Sequence, residues 1–215
     1  MIYILDFLLN LIYPNVCGFC GKIDENCLCK ECEDKVNRDL IYGTEDIKDK
    51  FFEKQIFLAN YDGEFRNNIL LYKFGDKSFM YKTFSKLILK NKKICDTLKS
   101  YDIIMEVPIH KKRRAERGYN QSELIAKEIA KNIKEIKYES ILIKIKNNER
   151  QSNLNKEDRT ENVKNVYEVK NKQIIDGKRV ILFDDIYTTG NTVNECSRIL
   201  KENNAKEILV LTLAK

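Results

Sequence analysis

Two adjacent carboxylates, Asp184 and Asp185, are followed closely by Thr188, Thr189, Gly190, Asn191 and Thr192. Neighbouring carboxylates accept hydrogen bonds from vicinal hydroxyls such as those of a sugar. Threonine hydroxyls, free backbone N–H groups and a glycine that permits close approach suit a phosphate. The combination therefore suits a sugar phosphate. The flanking residues say what must hold it. Val180 to Phe183 is a short apolar run that reads as a buried strand, and after the loop Val193, Cys196 and Leu200 recur on one helical face. Glu195, Arg198 and Lys201 lie largely off that face. Strand, small-residue loop and helix together aim the positive end of the helix at an anion.

Val180–Thr192 resembles the phosphoribosyl pyrophosphate (PRPP) motif of type I phosphoribosyltransferases, in which four apolar residues and two acidic ones precede a Thr/Gly-rich loop. The resemblance implies that Asp184 and Asp185 hold the ribose 2′ and 3′ hydroxyls and that Thr188, Thr189, Gly190, Asn191 and Thr192 hold the 5′-phosphate. The plainer alternative is a strand–turn–helix with two exposed aspartates. An acidic pair in register with Thr-Thr-Gly-x-Thr is more specific than that alternative requires.

A second anion site is expected upstream. Asp102–Val107 reads as a strand closed by Pro108, and five of the seven residues 111–117 are basic. Asn120-x-x-Glu123 reads as a capping box, followed by Ile125, Ile129 and Ile133 at helical spacing. A basic loop feeding a helix N-terminus would bring Lys111, Arg113, Arg114 and Arg117 to a diphosphate, which guanidinium groups bind bidentately. A solvated basic surface is the competing reading. His110 is the only histidine and is given no role.

The third chemical signal is Cys17-x-x-Cys20 followed by Cys29-x-x-Cys32. Two such pairs in a short polar stretch fit a tetrahedral ion, and four thiolates leave no open coordination position, so structural zinc is expected. Cys27 is spare. Gly18 and Gly21 suit the turns.

Charged residues make up 33% of the 215 and hydrophobic ones 43%, as in ordinary globular chains. The net charge of +6 allows anionic ligands or nucleic acid without requiring either. We expect an apolar helix over 1–13, a zinc ribbon over 14–40, a charged linker over 33–54 and a main domain over 55–215. The N-terminal run lacks a secretory pattern, is interrupted by Asp6 and is too short to span a bilayer. It reads as packed on the domain, or as a docking surface for a partner or the inner membrane face. The chain is thus expected to be cytoplasmic. Further strands are expected over 56–61, 140–145 and 208–213, and helices over 63–74 and 79–89. Strands alternating with helices predict an α/β domain with a parallel sheet flanked by helices and a site at the strands' carboxyl ends. The polar excursion 146–162 carries Arg150, Gln151, Arg159 and Asn162, which are equipped to close over an anionic substrate.

The cysteine pairs, the block Val107-Pro-Ile-His followed by Ala115-Glu-Arg-Gly-Tyr-Asn-Gln-Ser-Glu-Leu-Ile-Ala126, and the PRPP motif together resemble the ComF family. These are type I phosphoribosyltransferase-fold proteins with an N-terminal zinc finger, linked to bacterial DNA uptake. The resemblance implies PRPP or a nucleotide-like ligand with Mg²⁺, and single-stranded DNA and a helicase or uptake protein as partners. Base stacking in such a role would draw on Tyr119, Tyr167 and Tyr187, although core packing is an equal reading of each. The alternative is an active phosphoribosyltransferase acting on an unidentified base or amine, for which no catalytic residue is assigned.

Overall fold

The computed structural model of the chain describes residues 14–146 and 165–215. Its elements are α1 (Lys30–Val36), β1 (Leu40–Asp46), β2 (Lys54–Ala59), α2 (Gly63–Phe74), α3 (Met80–Lys90), α4 (Lys92–Leu98), β3 (Ile103–Glu106), α5 (Lys111–Arg117) and α6 (Gln121–Asn132). Then come β4 (Lys137–Tyr138), β5 (Leu142–Lys144), β6 (Tyr167–Val169), β7 (Arg179–Ile186), α7 (Asn191–Glu202) and β8 (Glu207–Ala214). A six-stranded sheet has the order β1-β2-β8-β7-β3-β4. Strands β2, β8, β7, β3 and β4 are parallel, and β1 is antiparallel at the edge.

Period-two alternation divides the core between the two faces of this sheet. Ile104, Ile181, Phe183, Leu209 and Leu211 face α2, α3, α4 and α6, which contribute Phe65, Ile69, Tyr72, Phe84, Leu87, Leu98 and Ile125. Ile103, Met105, Val180, Leu182 and Val210 face α7 and the β5–β6 pair, through Val193, Cys196, Leu200, Leu142 and Tyr167. Strand β7 lies between β8 and β3, so its Val180–Phe183 run is buried on both sides, as a central parallel strand requires.

Four expectations change. The stretch 33–54 is not a linker: it holds the end of α1 and all of β1, paired with β2. This edge strand is half-exposed and carries Glu45 and Asp46, and the bulge between Leu40 and Gly43 places Tyr42 at φ 52°. Its mixed composition is that of a strand with one uncovered side. Residues 140–145 do not extend the main sheet. Leu142–Lys144 pairs antiparallel with Tyr167–Val169 in a separate two-stranded ribbon, and the sheet edge is β4. Residues 111–117 form a helix rather than a loop. Lys, Arg, Ala and Glu are good helix formers, His110 caps the start by accepting from the Lys112 N–H, and Gly118 at φ 76° ends it. The capping box is half-formed: Asn120 accepts from the Ser122 N–H, but Glu123 turns to Arg114 and Lys127.

Candidate ligand-binding cleft and thiol cluster

A cleft of about 550 Å³ opens at the carboxyl edge of the sheet, where β7 runs into its loop. Asp184 and Asp185 lie in its wall with Thr188, Gly190, Asn191 and Thr192. Asp184 Oδ1 accepts from the Asp185 N–H at 2.9 Å and faces the Ser122 hydroxyl at 3.5 Å. Asp185 is held differently. Lys73, in the last turn of α2, places Nζ 2.9 Å from its Oδ1 and 2.8 Å from its Oδ2. Burial pushes the Asp184 carboxyl up to about 7, the Asp185 charge adds to the shift, and Lys73 opposes it.

The loop needs its glycine. Gly190 is the N-cap of α7 at φ 73°, and a Cβ there would meet the Tyr187 hydroxyl at 2.3 Å. No side-chain hydrogen bond from the N-cap residue closes the start of α7, and Gly190, Asn191, Thr192 and Val193 line the cleft there, so the helix N-terminus borders it, as an anion site requires. Thr189 is absent from the cleft wall. Its Oγ1 is buried without a hydrogen-bond partner among the described residues.

Of the basic residues read from sequence, Arg113 and Arg117 reach the cleft wall, whereas Lys111 and Arg114 are not part of it. Arg114 instead pairs with Glu123 at 2.7 Å. The helical turn of α5 explains the split, because four residues separate Arg113 from Arg117 on one face. Two cations join them that sequence reasoning missed, Lys73 and Lys144. Burial first, and then the Arg113 charge, lowers Lys144 to about 8. Lys73 had a visible signal in its place at the end of a helix just before Gly75. Lys144 had none, since only the turn of β5 away from the main sheet brings it here. Arg150, Gln151, Arg159 and Asn162 lie outside the described residues. The bordering strands β5 and β6 bring Lys144 and Tyr167 to the cleft.

Of the three tyrosines for which stacking and core packing were equal readings, Tyr167 and Tyr187 border the cleft and Tyr119 does not, and each is packed or hydrogen-bonded within the fold. Tyr167 is buried, and Tyr119 donates its hydroxyl to the Tyr72 carbonyl at 2.7 Å. Tyr187 is half-buried, edge-on to Phe52, with Lys215 over its ring.

The second constellation is the thiol cluster. The Sγ atoms of Cys17, Cys20, Cys29 and Cys32 all lie within 4.8 Å of one another, with Cys20 and Cys29 at 3.8 Å. Thiolate bonds of about 2.3 Å to a tetrahedral ion would set the sulfurs about 3.8 Å apart, so the donor set fits a structural metal. Cys17 and Cys20 flank a tight turn closed by the Gly21 N–H on the Cys17 carbonyl, with Gly21 at φ 75°. Cys29 and Cys32 ride on the first turn of α1 rather than on a second tight turn. Cys27 stays out of the cluster, and its carbonyl accepts from the Gly18 N–H and the Thr83 hydroxyl.

A family model described as "Phosphoribosyl transferase domain" matches residues 120–215, which span the acid pair and its loop. Competence protein F of Haemophilus influenzae is 29% identical over 168 residues, covering 76% of this chain and 73% of that protein. Competence protein ComFC of Bacillus subtilis is 28% identical, covering 96% of this chain and 80% of its own. The DNA utilization protein YhgH of Escherichia coli is 24% identical, with 96% and 93% covered. The chain is thus similar over most of its length to competence and DNA utilization proteins, and over residues 120–215 to a phosphoribosyl transferase domain. Among solved structures, a phosphoribosylpyrophosphate synthetase from Mycobacterium smegmatis is similar at 17% identity and a TM-score of 0.36, over 60% of this chain and 33% of that one. The allosteric regulatory enzyme of purine biosynthesis is similar at 22% and 0.44, over 63% and 26%. The chain carries a phosphoribosyltransferase-like domain over residues 120–215, with a four-cysteine cluster on its N-terminal side. Among its described residues no helix is long and apolar enough to cross a membrane.

Proposed function

We propose that the cleft binds PRPP or a related phosphoribosyl ligand, and that the protein uses it while handling single-stranded DNA during uptake. One observation carries the reading: the acid pair shares one cleft wall with Thr188, Gly190, Asn191 and Thr192 at the glycine-capped N-terminus of α7. In this reading Asp184 and Asp185 accept from the ribose hydroxyls, the 188–192 loop holds the 5′-phosphate, and Arg113, Arg117 and Lys144 face the diphosphate with Mg²⁺. Arg150, Gln151 and Arg159 would close over it. Zinc fills the thiol cluster as a structural ion. The names of the relatives, competence and DNA utilization proteins, support the DNA-handling role; a cytoplasmic place and a helicase or uptake protein as partner are part of the same proposal.

Calorimetry with PRPP and Mg²⁺ tests the site. The unaltered protein should bind, and a double Asp184→Ala, Asp185→Ala variant should not, while keeping its bound metal. Equal affinity in the two proteins would reject the assignment. A second reading, an active transferase, draws on the ring of cations around the leaving-group side. Consumption of PRPP on adding nucleobases or amines would favour it, and binding without turnover would favour the ligand-gated role.

A further inference from the structure

We propose that the ring of Phe74, backed by the Arg117 guanidinium, is a stacking platform for a heterocyclic base at the mouth of the cleft. The inference rests on the phosphoribosyl reading, in that the base belongs to the ligand whose sugar phosphate lies at Asp184. It names what that ligand carries beyond its sugar.

Phe74 is the last residue of α2 and is 60% exposed. A single exposed apolar side chain is ordinary on a protein surface. Three features set this one apart. Phe74 lines the same cleft as the acid pair and the phosphate loop. Its backbone is fixed from several sides: Lys73, the residue before it, is ion-paired with Asp185, the Lys73 carbonyl accepts from Gln121 Nε2 at 3.1 Å, and the Tyr72 carbonyl accepts from Tyr119. Finally, the Arg117 guanidinium lies over the ring, 5.0 Å from its centroid, and is itself steadied by Gln121 Oε1 at 3.2 Å.

A ring covered by a cation and still mostly exposed offers its remaining surface to the cleft. Held in place before the ligand arrives, it loses little entropy on binding. A planar base is the partner whose shape and π-face match it, and such stacking tolerates any base. Tyr61 stands in the same wall with the Arg66 guanidinium 5.4 Å from its ring centroid, which repeats the arrangement. A free nucleotide and a base within a single strand share this chemistry.

The chain contains no tryptophan, so Phe74→Trp creates a sole fluorescent reporter at an exposed position. It is titrated with adenosine 5′-monophosphate, thymidine 5′-monophosphate, a short oligothymidylate and base-free ribose 5-phosphate. Base-bearing probes should quench the fluorescence and ribose 5-phosphate should not. Phe74→Ala should weaken the base-bearing probes roughly 5- to 150-fold, the range that base–aromatic stacking gives, and leave ribose 5-phosphate unchanged. Quenching by the mononucleotides assigns a small-molecule source, and quenching by the oligonucleotide alone assigns a strand. Absence of quenching by every base-bearing probe overturns the platform. So does equal affinity of the Phe74→Ala and unaltered proteins, or an equal response to ribose 5-phosphate. If bases quench but PRPP and ribose 5-phosphate do not bind, the phosphoribosyl reading falls and the platform stands. If the sugar phosphates bind and no base does, the reverse holds.

Discussion

Asp184 and Asp185 are neighbours in sequence but not equivalent. Asp185 meets a lysine with both oxygens, and Asp184 meets only a backbone N–H and a distant hydroxyl. The fold therefore raises Asp184 from 3.8 to about 7 and binds its proton more tightly than the unfolded chain does. The stability this group contributes is fully present below about pH 4 and is lost as the pH rises through about 7. Asp184→Asn should therefore raise stability at pH 8 by on the order of 2 kcal/mol, change little at pH 4, and abolish PRPP binding at both. Thermal melts at the two pH values check the sign, and equal shifts at both would reject it. Lys73→Gln leaves Asp185 without its cation in a largely desolvated place and should cost about 2–3 kcal/mol. Adding Asp185→Asn should recover part of that loss. Strictly additive urea midpoints would mean that the two side chains are not coupled. The two acids were legible in the sequence. Their difference was not, because it depends on Lys73, which is far from them in the chain and reaches them only through the packing of α2.

At the scale of elements, the segments with a clean apolar period were the legible ones. The β7 run, the faces of α3 and α6, and the last strand emerged close to their expected places. Where charge dominated, the pattern misled. Residues 111–117 read as a basic loop although each of their residue types favours a helix, and β1 read as a linker because an edge strand needs only one apolar side. Gly190 was read from the sequence as the residue that lets an anion approach the backbone, and the structure adds two constraints of its own. Besides its φ of 73°, Gly190 gives way to the Tyr187 ring. Gly190→Ala should thus cost about 2 kcal/mol or more and remove phosphate-bearing ligands. Gly177, at φ 67° with open space around it, is the control, and its change to Ala should cost only about 1 kcal/mol. Denaturant midpoints of the two variants separate conformational strain from overlap. Equal losses would remove the role given to Tyr187.

At the scale of the molecule, the cysteine spacing announced a four-thiol cluster but not its attachment. The cluster is not hung on a tether. Cys17, Leu28, Cys29, Cys32 and Val36 share one hydrophobic core with α2 and α3, and a side chain at Gly18 would strike Thr83. Aromatic contacts then run inward: Phe19 against Phe84 at 5.6 Å, Phe84 against Tyr72 at 5.4 Å, and Tyr72 against Tyr119 at 6.0 Å. Phe65, near the start of α2, packs on the same Phe84. Lys73 and Phe74, at the other end of α2, line the ligand cleft. One helix of about 18 Å, at 1.5 Å per residue, therefore has the thiol cluster near its first turns and the acid pair at its last. Metal removal should be felt at both ends. Chelation releases the two CxxC turns, withdraws Phe19 and loosens the seat of Phe84, so that α2 no longer holds Lys73 on Asp185 at full strength. PRPP affinity in the metal-free protein should fall by about fivefold or more, the scale of coupling between sites that share a packed element, and zinc should restore it. Calorimetry before and after chelation measures the change, with far-ultraviolet circular dichroism reporting whether the helices persist. An unchanged affinity with helix content intact would mean that the sheet and α6 hold α2 unaided. The cysteines would then serve the surface beside them and not the cleft.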